Sequence, residues 1–276
     1  MKYKDTDGLI NYEEIGCGKP VIILHGLGCD LNMMKACLEP VFAKKTDYKR
    51  IYVDLPGMGK STRELEFASS DSILDLLLDF INHTVKENYL LIGESYGGYL
   101  ARGILSRQSY YIDGLMLLCP VVEPQKGKRT LPNDVIRFKD DSFLEELSAT
   151  DRNGFCEYAV LADKYTYQRY KTEIYPSIHS SDERFISKLE DNYSFSFDVD
   201  EIISGLNYDR SSLFMCGKQD DCVGYEDLWE LLKSYNRATF AVLDVAGHNL
   251  QIEQVSVFNE LVSNWLMRTE KFSMPD

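Results

Sequence analysis

Hydrophobic and polar positions along this chain follow two periods in turn. Short apolar runs at 21–24 (VIIL), 50–53 (RIYV), 89–92 (YLLI), 115–118 (LMLL), 212–215 (SLFM) and 238–243 (ATFAVL) read as strands. Runs of this length with so few polar interruptions suit a sheet buried on both faces. Residues 70–84 form an apolar-rich helical pattern opened by Ser and Asp, and 225–234 reads as a second helix. Near the end, Val255, Phe258, Leu261, Val262, Trp265 and Leu266 recur at steps of three and four, a single core-facing stripe. At the start, 2–6 and 9–15 read as paired strands turning at Asp7-Gly8, with a break over 16–20. Strands alternating with helices predict an α/β fold with a doubly wound, mostly parallel sheet and an antiparallel start.

One block breaks the alternation. Residues 121–209 hold no convincing buried strand, only helix-like segments at 142–150, 155–165 and 182–189. The expectation is a core formed by 1–120 and 210–276, with 121–209 inserted as a helical unit between two strands of the sheet.

The stretch that organises the chain is 88–105, NYLLIGESYGGYLARGIL. A buried-strand pattern runs without a spacer into Gly93-Glu94-Ser95-Tyr96-Gly97-Gly98, and a helix follows from Tyr99. A serine between glycines at a strand-to-helix reversal has the form of a nucleophile elbow. The turn strains its central residue, so its neighbours must lack bulk, and Gly93 and Gly97 meet that need. By itself GxSxG arises in roughly one chain in ten of this length, and the strand and helix around it are what make it specific.

Composition narrows the classes further. The chain has 276 residues, 44% hydrophobic and 27% charged, enough to bury a substantial core. A net charge of −14 disfavours nucleic acid and anionic membranes as partners. No run approaches the roughly 18 apolar residues that a membrane helix requires, and the polar first residues do not resemble a secretory signal, so a cytoplasmic protein is expected. The seven cysteines (17, 29, 37, 119, 156, 216 and 222) include no CxxC pair. They are read as reduced thiols acting as small apolar side chains, with no disulfide framework and no zinc site.

A serine hydroxyl is a weak nucleophile until a base takes its proton, and that base needs an orienting acid. Only four histidines are present. His25 ends a strand, His83 lies late in a helix and His179 sits in a polar part of the insertion. His248 follows the strand at 238–243, in a loop ahead of the final helix that can reach the sheet's carboxyl edge. By elimination His248 is the base. After the strand at 212–215, Asp220 and Asp221 are both candidates for the acid, and one of them is expected to be a solvated turn residue. The order Ser, Asp, His matches one of the three familiar triad orders.

Taken together, HGLG at 25–28, DLPGMGKS at 54–61, GESYGG at 93–98, GKQD at 217–220 and AGHN at 246–249 resemble the α/β-hydrolase superfamily. The likeness is to its small esterase-like members with a helical cap, and it spans the chain outside the insertion. The resemblance implies Asp220 as the acid, with Asp221 the runner-up. It also implies an oxyanion hole from the backbone N–H groups of Leu27 and Tyr96, a loop-shaping role for His25 and a structural loop at 54–61. Ser95 sets the chain apart from relatives with a carboxylate nucleophile. Cys29-Asp30 after Gly28 departs from the HGxGPG of ring-fission hydrolases, and GESYGG from the GGSWG of proline iminopeptidases. The Pro that usually precedes the acid-bearing strand is missing at Asp209-Arg210-Ser211, which blurs the insertion's downstream boundary.

The resulting expectation is a serine hydrolase acting on an ester or thioester of a small to medium acyl group. It needs no cofactor and no metal, and its partner is a small-molecule substrate. Alternatives on the same three residues are carbon–carbon hydrolysis, thioester hydrolysis or perhydrolysis, or a ligand sensor that retains them.

Overall fold

A computed structural model describes residues 1–4 and 7–272. In chain order the strands are β1 (Lys2–Lys4), β2 (Gly8–Ile15), β3 (Lys19–Leu24), β4 (Tyr48–Val53), β5 (Thr62–Arg63), β6 (Tyr89–Glu94), β7 (Ile112–Leu118), β8 (Phe138–Lys139), β9 (Leu161–Ala162), β10 (Ser211–Gly217) and β11 (Ala238–Leu243). The helices are α1 (Leu31–Phe42), α2 (Ser70–Thr84), α3 (Tyr96–Gln108), α4 (Asp141–Glu146), α5 (Ala149–Tyr158), α6 (Lys164–Arg169), α7 (Glu183–Asp191), α8 (Val199–Ser204), α9 (Glu226–Leu231), α10 (Leu250–Glu253) and α11 (Val255–Lys271). Asp5 and Thr6, at the end of the strand expected over 2–6, lie outside the described residues.

The main sheet runs β1-β2-β4-β3-β6-β7-β10-β11, with β5 beside β2. β2 is antiparallel to β1, β4 and β5, and every pairing from β4 to β11 is parallel. The predicted α/β class and antiparallel start are therefore observed. The central strands are apolar because helices cover them: Val21 to Leu24, Leu90 to Ile92, Leu115 to Leu118 and Leu213 to Met215 are all buried. α1 and α11 pack on each other and on β3, β4 and β10, while α3 packs on α2, β6 and β7. The final stripe closes this core. Phe258, Val262, Trp265 and Leu266 are fully buried, Val255 and Leu261 sit at its margin, and Trp265 Nε1 donates to Ser211 O at 3.0 Å. Burying each such side chain stabilises the fold by roughly 1.5–3 kcal/mol.

α1 has no counterpart among the predicted elements. Its signals are Asp30, whose carboxylate accepts from Asn32 N at 2.9 Å, and a buried face of Leu31, Met34, Cys37, Leu38 and Val41. Pro40 in its last turn blurs the pattern, because proline lacks the N–H that an interior position donates.

Between β7 and β10 the chain leaves the main sheet and forms α4 to α8, with β8 and β9 among them. The detail differs. The helical pattern at 142–150 spans two helices, because Ser148 accepts from Asp151 N and starts α5 afresh. The pattern at 155–165 is cut at Tyr158, since the Val160 and Leu161 N–H groups donate to Glu253 on α10. The residues that follow pair as β9 with β8, in parallel. Asp182 caps α7 with bonds to Arg184 and Phe185 N. No helix among the described residues is long and apolar enough to cross a membrane.

Candidate active site

The site lies at the carboxyl ends of β3, β6, β10 and β11, where the parallel strands deliver their loops to one edge. At the end of β6, Ser95 adopts φ 51 and ψ −115, a conformation side chains rarely tolerate. Two glycines permit it. A Cβ on Gly97 would stand 2.6 Å from His25 O, and one on Gly93 would run into the Gly97 carbonyl. Ser95 N donates to Leu118 O at 3.0 Å, and Ser95 O accepts from Gly98, Tyr99 and Val121 N, so the elbow is fixed from both sides. Cys119 (φ 41) and Val245 (φ 55) are also left-handed and border the same edge. Such strain gathers where a rigid surround overrides local preference.

The structure brings Ser95, His248 and Asp220 into one chain of contacts. Ser95 Oγ and His248 Nε2 are 2.9 Å apart, and His248 Nδ1 lies 2.9 Å from Asp220 Oδ2. Asp220 is fully buried, and its Oδ1 accepts from Cys222 N at 2.9 Å and Val223 N at 3.0 Å. Burial alone would push this carboxyl up. The His248 charge and bond and the two amides outweigh it and hold the carboxyl below the usual range. Burial likewise opposes charge on His248, but Asp220 and Cys222 raise it well above an ordinary imidazole. Gln219 anchors the histidine loop twice, accepting from Ala246 N at 3.1 Å and donating its own N–H to Ala246 O at 2.9 Å.

The other expected residues are found as follows. Asp221 is exposed and its Oδ2 accepts from Arg137 Nη2 at 2.7 Å, so Asp220 alone of the pair meets His248. His83 and His179 are exposed. His25 is buried; its Nε2 accepts from Leu55 N at 3.0 Å and its Nδ1 lies 2.7 Å from Gly26 O, which selects a neutral ring with the proton on Nδ1. Burial also lowers its pKa. The loop after β4 is tied through Asp54, whose carboxylate accepts from Leu31 N, Lys60 N and Asn11 Nδ2 at 2.8–2.9 Å. Tyr96 is the first residue of α3, so its N–H has no acceptor inside the helix. Leu27 follows Gly26, where a Cβ would come within 3.1 Å of Ser95 Cβ.

Three site residues escaped the sequence reading. Glu94, before Ser95, is buried, with Oε1 3.5 Å from His248 Nε2 and Oε2 without a hydrogen-bond partner. Burial pushes its carboxyl up to about 7, with the Asp220 charge adding to this and His248 and the Gly26 amide opposing it. Glu253 is also buried. Its Oε2 accepts from Gly247 N at 2.7 Å and its Oε1 from Val160 N at 2.6 Å, which joins the histidine loop to the segment after α5. Burial raises this carboxyl too, against its three amide donors. Cys222 differs from the small apolar thiol expected: it is exposed, and the neighbouring His248 draws it below the ordinary thiol range. Only Glu94 carried a sequence signal, as an acid inside the serine motif.

Among the described residues, one group of potential metal ligands occurs, Cys119, Asp220 and His248, with ligand atoms within 4.8 Å of one another. Burial keeps the Cys119 thiol protonated, whereas a metal binds thiolate, and the other two already bond each other.

Comparison with known proteins places this geometry in a lineage. A model of the alpha/beta hydrolase fold matches residues 19–255. An α/β superfamily hydrolase from Oenococcus oeni PSU-1 superposes with a TM-score of 0.83 at 29% identity, covering 98% of this chain and all of that one. A pimeloyl-[acyl-carrier protein] methyl ester esterase from Shewanella woodyi is 31% identical over 109 residues, 40% of this chain and 39% of that protein. A 2-hydroxy-6-oxo-6-(2'-aminophenyl)hexa-2,4-dienoic acid hydrolase from Metapseudomonas resinovorans is 24% identical over 273 residues, 93% and 87% respectively. With the family's model matching residues 19–255, most of its length, this chain belongs to the α/β-hydrolase family and is an enzyme of that hydrolase class.

Proposed function

We propose that this enzyme is a serine hydrolase cleaving an ester or thioester of a small to medium uncharged acyl group. The observation that carries the reading is the unbroken contact from Ser95 Oγ through both nitrogens of His248 to buried Asp220. In this mechanism Ser95 attacks the acyl carbon while His248 takes its proton and then delivers it to the leaving alcohol or thiol. Asp220 orients the imidazole and opposes its transient charge. The Leu27 and Tyr96 N–H groups receive the oxyanion, Tyr96 at a helix N-terminus whose dipole favours negative charge. Water then releases the acid with His248 as base. Residues 1–120 and 210–276 serve as the catalytic body and 121–209 as a cap that selects the acyl group. Support for the cap comes from its seat over the site, with Val160 beside Gly247 and Ser181 beside Gly28.

The test is turnover of p-nitrophenyl esters of rising acyl length by the parent enzyme and by Ser95→Ala. The parent should hydrolyse the shorter esters, and the variant should lose at least about 10⁴-fold. Equal rates would remove Ser95 from the mechanism. A second reading, carbon–carbon hydrolysis on the same three residues, draws on the relative from Metapseudomonas resinovorans. Cleavage of a vinylogous diketone with no esterase activity would establish it instead.

A further inference from the structure

The carboxyl of Glu94 has no role in the mechanism above, yet it stands against the mechanism's moving proton. It is the last residue of β6 and only 3% exposed. Its Oε1 is 3.5 Å from His248 Nε2, the nitrogen that also meets Ser95 Oγ at 2.9 Å. Its Oε2 accepts no hydrogen bond and lies so close over Gly26 that any side chain there would strike it. A buried carboxyl oxygen without a partner is costly, and a native site retains one for a reason. Asp220 already serves the opposite nitrogen, so His248 lies between two acids.

We propose that Glu94 is a positioning residue for His248, sharing with the ring a single proton on the Nε2 side that must leave before Ser95 can be activated. The proposal rests on the serine-hydrolase reading of the site. When Nε2 carries the proton and Glu94 is ionised, the pair is stable but the ring cannot act as a base. When the carboxyl carries it, or when it has been lost to solvent, Nε2 is free to receive the Ser95 proton. Once Ser95 attacks, ionised Glu94 faces the newly charged imidazole and stabilises it. Glu94 thereby does two things: it delays activity to higher pH and raises the rate reached there.

The groups around the pair are consistent with this assignment. Glu94 is faced by His248, Asp220, the Gly26 amide and the thiols of Cys29, Cys37 and Cys119. Burial raises all three thiols, so they remain neutral. His248 is faced in addition by Cys222. Asp220 is held ionised by its two amides and by His248. Burial places the Glu94 carboxyl at about 7, so its charge changes near neutrality.

The experiment is an NMR titration of the histidine ring resonances in the parent and in Glu94→Gln, paired with the pH profile of kcat/KM. There are four histidines, two of them exposed and His25 held neutral, so the His248 signal is separable. In Glu94→Gln the His248 midpoint should fall by about 1 unit or more, since an opposite charge at this distance shifts a pKa by that amount. The acid limb of kcat/KM should fall with it, and the ceiling rate should drop several-fold. Packing damage alone would lower the ceiling and leave the limb where it was. A His248 midpoint that moves by less than about 0.3 unit overturns the proposal, because a unit charge this close cannot act so weakly. If Glu94→Gln fails to fold, Glu94→Asp retracts the charge and should give a smaller shift in the same direction. The parent's own His248 curve should bend twice, once near pH 7 as Glu94 loses its proton and again at the ring's own higher midpoint, and a single smooth step also overturns the proposal. The titration needs no substrate, so inactivity towards esters would refute the proposed reaction without touching this result.

Discussion

The sheet and the insertion obey the same chemistry but carry it at different ranges. In the sheet, the central strands β3, β6, β7 and β10 are short apolar runs because helices cover them, and local pattern and tertiary environment agree. In the insertion the helices are brief, from six to ten residues, and capped by Asp140, Ser148, Asp163, Asp182 and Asp198. Helices this short are marginal alone and owe their ends to caps and to neighbours. The insertion is also fastened to the core by polar contacts: Ser177 Oγ to Asp30 before α1 at 2.8 Å, and, on α3, Phe195 N to the Tyr99 hydroxyl at 2.9 Å and Arg102 to Asp200. The sheet is thus specified by burial, while the insertion is specified by where its backbone groups find partners.

The strongest break in that contrast is Glu253, which serves both regions at once. Glu253→Ala leaves the N–H groups of Gly247, Val160 and Leu161 without their shared acceptor. An unsatisfied buried group costs about 1–3 kcal/mol, so a loss of about 3 kcal/mol is expected in urea unfolding. Activity should fall with it, because the Gly247 amide adjoins His248. Full activity and an unchanged unfolding midpoint would mean that the junction carries no load.

Acid and base should separate the two regions next. Burial raises Glu94 and Glu253 in the folded state, so folding retains protons that the unfolded chain releases near pH 4.3. Their contribution is complete below that value and is lost as pH rises, for Glu94 through about 7. The insertion's Asp140 and Asp151 behave in the opposite sense. Hydrogen bonds from Ser142 and Phe143 N lower the first, and bonds from Lys171 and Ser148 lower the second. Their contribution is present above roughly pH 3.9 and is lost as pH falls through their folded values. Urea midpoints measured from pH 5 to 8 should therefore fall, and Glu94→Gln should flatten that slope. A slope identical in parent and variant would contradict the sign worked out for Glu94.

The smallest effect belongs to Asp221, which crosses the same border on the surface. Its pairing with Arg137 at 2.7 Å is exposed, so Asp221→Asn should cost less than about 1 kcal/mol and leave kcat/KM unchanged. A large loss of rate would mean that Asp221 and Asp220 share the acid's role.

Much of the site was legible because its signals are local. Ser95 was marked by its glycines, His248 by elimination among four histidines, and the acid by its place after β10. Asp220 and Asp221 are alike in sequence, and only the turn after Gly217 decides between them. It buries Asp220 beneath two amides and points Asp221 at Arg137. Glu253, and the contact that Glu94 makes from inside its motif, could not be recognised for the same reason. An acid gains its role from what surrounds it, and their surroundings come from loops far apart in the chain.

The sequence by itself determined the α/β class, the strands of the sheet apart from β5, and the glycine-flanked turn at Ser95. These follow from periodicity and from glycine's freedom, which act over a few residues. The tertiary structure decided where the insertion's helices break, which aspartate meets His248, and that a second carboxyl faces the same ring. Those outcomes depend on burial and on hydrogen-bond partners supplied by distant segments, and no short-range pattern encodes them.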